Sequence, residues 1–202
     1  MALLALLVLL HAAAAEAVQS STVYIIRHGE KNNLVGCLSD EGEARANSLN
    51  GVFNGQASPD HPTFETPLAI FANRYEDPVD CERCKQTVLP IATALSLPVV
   101  FDYGYPLWVS GNSKSAAAIK EAAAATPVVL VAWEHNNIKA LAEYLGVAKA
   151  DIPAWPSGDF DSDYSLTLDG EGTVVSFVHE AQNFTRGGEV TDAAAADGYK
   201  LT

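Results

Sequence analysis

The chain has 202 residues, 49% of them hydrophobic and 18% charged, a composition that can bury a core and that excludes wholesale disorder. Its 12 Lys and Arg against 25 Asp and Glu leave a formal charge of −13, which excludes the electrostatic footprint of a nucleic-acid binder. An anion site on so acidic a chain has to be built locally, from a few convergent cations.

Met1–Leu10 is an apolar run, followed by His11, Ala12–Ala15, Glu16 and Ala17. It fits the core of a signal peptide and is too short to span a bilayer, and the alanines offer cleavage near Ala15 or Ala17. No Lys or Arg precedes it, so the α-amino group alone supplies the positive end. The expectation is a signal peptide over 1–17, one domain over 18–185 and a frayed tail over 186–202, in a secreted protein with no membrane anchor after cleavage. Cys37, Cys81 and Cys84 suit that compartment, with one disulfide and one thiol left over. The sequon Asn183-Phe184-Thr185 makes Asn183 a candidate glycosylation site there.

Thr22–Ile26 reads as a buried strand that delivers Arg27-His28-Gly29 to a loop. Ser39 is a candidate N-cap for a helix with acidic residues in its first turn, and Leu68–Ala72 is a second buried strand. Helical spacing runs from about Cys81 to Leu95, against the objection of Pro90 at an interior position. Val99–Phe101 reads as a short strand, and Ser113–Ala124 as a helix capped by Ser113 or Asn112. Val128–Trp133 is the most strand-like run, followed by a helix over Asn136–Leu145 that Gly146 closes. Tyr164–Leu168 and Thr173–His179 read as a hairpin. The alternation predicts an α/β fold of three layers: an open, mostly parallel sheet with helices on both faces and a C-terminal β-hairpin. Ligands in such sheets bind beyond the carboxyl ends of the strands, where Arg27-His28 and Glu134-His135 both stand.

Phosphoryl transfer without metal needs a nucleophile and several cations to spread charge over the non-bridging oxygens. His28 can be the nucleophile, Arg27 a clamp, and Gly29 lets the backbone approach an anion. Cys81-Glu82-Arg83-Cys84 has redox-motif spacing but follows a loop rather than an apolar strand, and the cysteines with His61 do not assemble a zinc site. Packing or solvation is the default for Lys31, Trp108, Trp133, Trp155 and His179.

Arg27-His28-Gly29, then Leu38-Ser39-Asp40-Glu41-Gly42 with Ala46, then Arg83 with Gln86 and Thr87, then the Val128–Trp133 strand running into His135, occur in a telling order. In these motifs the chain resembles the histidine phosphatase superfamily, also called phosphoglycerate-mutase-like, over roughly Thr22 to Gly146. The resemblance implies that His28 accepts the phosphoryl group, that Arg27 and Arg83 bind phosphate, and that His135 donates to its oxygens. Two guanidinium groups beside His28 would keep its imidazole neutral and nucleophilic. The sequence departs from the family at Cys81, where a Ser often stands two positions before the middle Arg. Asn32 and Asn33 both qualify as the polar phosphate contact, with Asn33 carried as the site residue. Asn136 replaces the Asp that follows the late His in the acid-phosphatase and phytase branch. Glu134 and Asp102 compete as the general acid, with Glu134 preferred because it lies at the pocket mouth. The same convergence of segments implies a disulfide from Cys37 to Cys84, or to Cys81, with a Cys81–Cys84 bridge as the rival.

The reading is a phosphatase acting on a small phosphorylated substrate through a phosphohistidine, with no metal and no organic cofactor. The alternatives are a phosphomutase, a catalytically silent secreted protein that binds a phosphorylated ligand, and a metal-binding module built on His28, Glu30, Glu134 and His135.

Overall fold

The computed structural model describes residues 20–75, 81–104 and 108–184; the expected signal peptide and tail lie outside the described residues. Ten elements follow in order: β1 (Ser21–Arg27), α1 (Asp40–Val52), β2 (Ala69–Ala72), α2 (Arg83–Leu95), β3 (Val99–Val100), α3 (Trp108–Ala125), β4 (Val128–Trp133), α4 (His135–Leu145), β5 (Ser162–Leu168) and β6 (Val174–Ala181). The strands form one sheet in the order β3-β2-β4-β1-β5-β6. The first four run parallel, whereas β5 pairs antiparallel with β1 and β6 antiparallel with β5.

Strand alternation divides the core in two, because successive side chains of a strand point to opposite faces. Val23 and Ile25 of β1 join Val129 and Val131 of β4 under Ile119 of α3 and Leu141 of α4. Tyr24 and Ile26 face the other way, with Leu130, against Leu49 of α1 and Val88 and Ile91 of α2. Each side is a helix layer, so the sheet is covered on both faces. Burial of β1 and β4 on both sides explains why these strands are continuous apolar runs rather than alternating ones. Among the described residues no helix is long and apolar enough to cross a membrane.

Two boundaries differ from expectation. The third helix begins at Trp108, five residues before Ser113, so Asn112 is not its cap but lies inside it. Asn112 is buried, donating to Asn137 Oδ1 (2.9 Å) and accepting from Trp133 Nε1 (3.1 Å), and these bonds offset the poor helix propensity of Asn. Pro90 stays within α2. It neighbours exposed Leu89 on the outer side of the helix, where the lost backbone bond strands no buried partner.

Candidate active site

The site forms where β1 and β4 end side by side. The register continues past the strand, with the His28 backbone N–H donating to the Trp133 carbonyl (3.2 Å). His28 is fully buried, and its Nδ1 donates to the Gly29 carbonyl (2.7 Å). That bond assigns the proton to Nδ1 and leaves the lone pair on Nε2, which has no partner among the described residues. Burial, and after it the charges of Arg83, Arg27 and His135, push the imidazole down to about 2, against the bond to Gly29. His28 is therefore neutral across the physiological range.

The loop that holds His28 is clamped by close backbone approach. A Cβ on Gly42, in the first turn of α1, would lie 2.2 Å from the Glu30 carbonyl oxygen, and one on Gly29 would meet the Gly42 oxygen at 2.9 Å. Ser39, which caps α1 through Gly42, also donates its backbone N–H to the Glu30 carbonyl (2.8 Å). Thr87 ties in α2, accepting from the Gly29 N–H (2.8 Å) and donating to the Arg83 carbonyl (2.8 Å).

Arg27 is buried, with Nη1 held by the carbonyls of Ser157 (2.6 Å) and Asp159 (2.9 Å) and its guanidinium 3.8 Å from the centroid of Phe160. Its buried Nε has no hydrogen-bond partner among the described residues. Phe160 also meets the edge of His28, with centroids 5.9 Å apart. Arg83 opens α2, buried, with its guanidinium 4.2 Å from the Tyr75 ring centroid.

Glu134 and His135 open α4. Glu134 is the N-cap: its carboxylate accepts from the Asn136 N–H (2.9 Å), the Asn136 side chain (3.1 Å) and the Asn137 side chain (3.2 Å). His135 Nδ1 lies 2.7 Å from Glu134 Oε1, and its ring stands 6.3 Å from that of His28. Burial lowers the affinity of His135 for a proton, opposed by Glu134 and reinforced by Arg27, Lys31 and Arg83.

The structure thus brings together Arg27, His28, Glu134 and His135, with Arg83 acting on His28 and His135 from the start of α2. It does not bring in the rest. Asp102 is exposed after β3, the sheet edge, three positions from β1 in the strand order. Asn33 is exposed on the 31–38 loop, where Asn32 instead closes a turn by accepting from the Leu34 N–H (2.9 Å). Asn183 is exposed, but the side-chain nitrogen that a glycan would modify donates to the Asp60 carbonyl.

The preferred Cys37–Cys84 pairing is corrected: the disulfide joins Cys37 to Cys81, with Cα atoms 4.8 Å apart. Cys84 is already inside α2 and points into the core, its thiol 3.2 Å from Tyr75 Oη and pushed up to about 12 by burial. Cys81 precedes the helix, in left-handed backbone with Glu82, where it reaches the 31–38 loop. The Cys81–Cys84 bridge is overturned with it.

The ligand atoms of His28, Glu134 and His135 lie within 4.8 Å of one another, a donor set that could hold a metal ion. Arg27 and Arg83 act on the same spot and oppose a cation there. Glu30, the fourth expected ligand, is engaged elsewhere, in an ion pair with Arg45 (2.6 Å).

Sequence reasoning missed Tyr75, Phe160 and the Ser157 and Asp159 carbonyls, none of which carries a readable signal. Arg45 did carry one, as a charged residue in line with Gly42, Ala46 and Leu49 on the buried stripe of α1.

No family model matches the sequence, and no curated protein matches it. Solved structures do match in fold. The protein histidine phosphatase SixA, complexed with tungstate, aligns with a TM-score of 0.54 at 18% identity, over 80% of this chain and 97% of that one. A mycobacterial glucosyl-3-phosphoglycerate phosphatase, complexed with VO3, aligns with a TM-score of 0.50 at 17% identity, over 72% and 92%. The chain shares its fold with these two phosphatases.

Proposed function

We propose that the chain is a histidine phosphatase that hydrolyses a small phosphomonoester through a phosphohistidine on His28. The observation that carries this reading is the state of His28 itself: buried, neutral, proton on Nδ1 and an unpartnered Nε2, between the fields of two guanidinium groups. In the first step Nε2 attacks phosphorus, the P–N bond forms and the P–O bond to the leaving group breaks in line. Arg27, Arg83 and His135 spread the charge on the non-bridging oxygens, a contribution that grows in the transition state. Glu134, entering the step as the carboxylic acid, hands its proton to the departing alkoxide and is left as the carboxylate. In the second step water attacks phosphorus, Glu134 takes its proton, the P–N bond breaks and inorganic phosphate leaves. Glu134 is favoured over Asp102 because its strand is the neighbour of β1. The disulfide supports placement in an oxidising, secretory compartment.

The test is hydrolysis of an aryl phosphate with rapid quenching. Wild-type protein is expected to release phenol and to accumulate an acid-labile, alkali-stable phosphoenzyme, and His28→Ala to do neither. Wild-type turnover by His28→Ala would overturn the reading.

A further inference from the structure

Arg45 has no part in the steps above, yet it is only 6% exposed and directs its guanidinium onto two acids. Its Nε reaches both Glu30 oxygens at 3.1 Å and its Nη2 reaches Oε1 at 2.6 Å, while Nη1 reaches Asp161 Oδ1 at 2.9 Å. The Phe184 ring covers it at 4.4 Å. Both acids belong to segments that flank the candidate site. Glu30 follows His28 and Gly29 on the nucleophile loop, and Asp161 follows Phe160 and Asp159, which hold Arg27. Asp161 is in turn fixed by the backbone N–H groups of Asn183 and Phe184, at 2.9 Å each.

A carboxylate three residues from Arg27 is an internal anion, and guanidinium binds carboxylate in the same forked geometry as phosphate. The charge of Glu30 acts on Arg27 even while paired. We propose that Arg45 is a positioning residue that forks onto Glu30, neutralises it and turns it toward α1, so that Arg27 meets the substrate phosphate rather than a carboxylate of its own chain. This inference rests on the phosphate-pocket reading above. Arg45 thus acts through another residue and governs anion affinity without touching the anion.

The test is the binding of inorganic phosphate and of tungstate by isothermal titration calorimetry, beside a thermal melt of each variant. Arg45→Met leaves the part-buried Glu30 uncompensated, and is expected to weaken both anions by about tenfold. Adding Glu30→Gln removes the competing charge, so Arg45→Met/Glu30→Gln is expected to recover to within about threefold of wild type, although the packing of Arg45 is still missing. A purely structural Arg45 makes the opposite forecast, since the double variant would bind as weakly as Arg45→Met, and that result overturns the inference. So does an Arg45→Met variant that binds as tightly as wild type. If Arg45→Met does not fold, Arg45→Lys and Arg45→Lys/Glu30→Gln carry the same comparison, because Lys cannot fork onto both acids; the expected loss is about threefold to fivefold, again recovered. Wild-type protein that binds neither anion overturns the pocket reading itself, a distinct outcome from a failed rescue.

Discussion

Two segments flank His28 and Arg27, and they are held by different means. The His28 loop, residues 28–30, is pinned by backbone packed on backbone, with Gly42 leaving no room for a Cβ against Glu30. The opposite wall, Ser157–Asp161, holds Arg27 through two carbonyl oxygens and one ring face. The first arrangement depends on glycine at both points of contact, and the second on residue type only at Phe160, because any residue supplies a carbonyl. Tight backbone approach writes itself into a sequence. Carbonyl clamps do not.

The difference can be broken at its strict side first. Gly42→Ala forces two backbones apart, and is expected to cost about 3 kcal/mol in chemical denaturation and to lower activity in whatever fraction folds. An unchanged midpoint would show that the His28 loop is not pinned in this way. On the permissive side the effect should be smaller and kinetic. Phe160→Ala removes a desolvated cation–π contact to Arg27 and is expected to lower kcat/KM for an aryl phosphate by about tenfold, with the melting temperature nearly unchanged. Equal losses of stability in the two variants would erase the contrast.

The same distinction separates what was legible from what was not. Arg27-His28-Gly29 and the cap at Ser39 were readable because a turn, an anion site and a helix start each demand particular side chains. His135 was readable because it follows the buried run of β4. The Cys81 partner was not, since spacing alone leaves both cysteines beside Arg83, and only the inward face of α2 withdraws Cys84. Asp102 failed to reach the site because strand order, which places β3 at the edge, is a tertiary fact. Asn112 was mistaken for a cap because a buried polar network overrode its propensity.

A pH-dependent effect tests the permissive wall where it becomes β5. Asp163 is fully buried, accepts from Ser165 Oγ (2.6 Å), and is held well above the ordinary carboxylate range, first by burial and then by the charge of Glu180, against that bond. A carboxyl whose folded-state proton affinity is raised binds the proton more tightly in the native state, so it costs stability as pH rises above about 4. Asp163→Asn removes that dependence. The variant is expected to gain on wild type as pH increases from 4 toward neutrality, by at most about 1.4 kcal/mol per unit, in denaturant titrations at several pH values. Parallel stability curves for the two proteins would contradict a raised proton affinity at Asp163.

The strand that delivers His28 has neighbours on both sides, β4 in parallel and β5 in antiparallel register. Fraying begins at the rim of a sheet, and no rim passes through this strand. Thermal motion can slacken β3 or β6 while His28 stays in place, so Nε2 is expected to lose its position only when the domain as a whole comes apart. On the proposed phosphatase reading, such a protein is spared half-open states in which His28 is present but misdirected, and its activity should fade with the fraction folded rather than ahead of it.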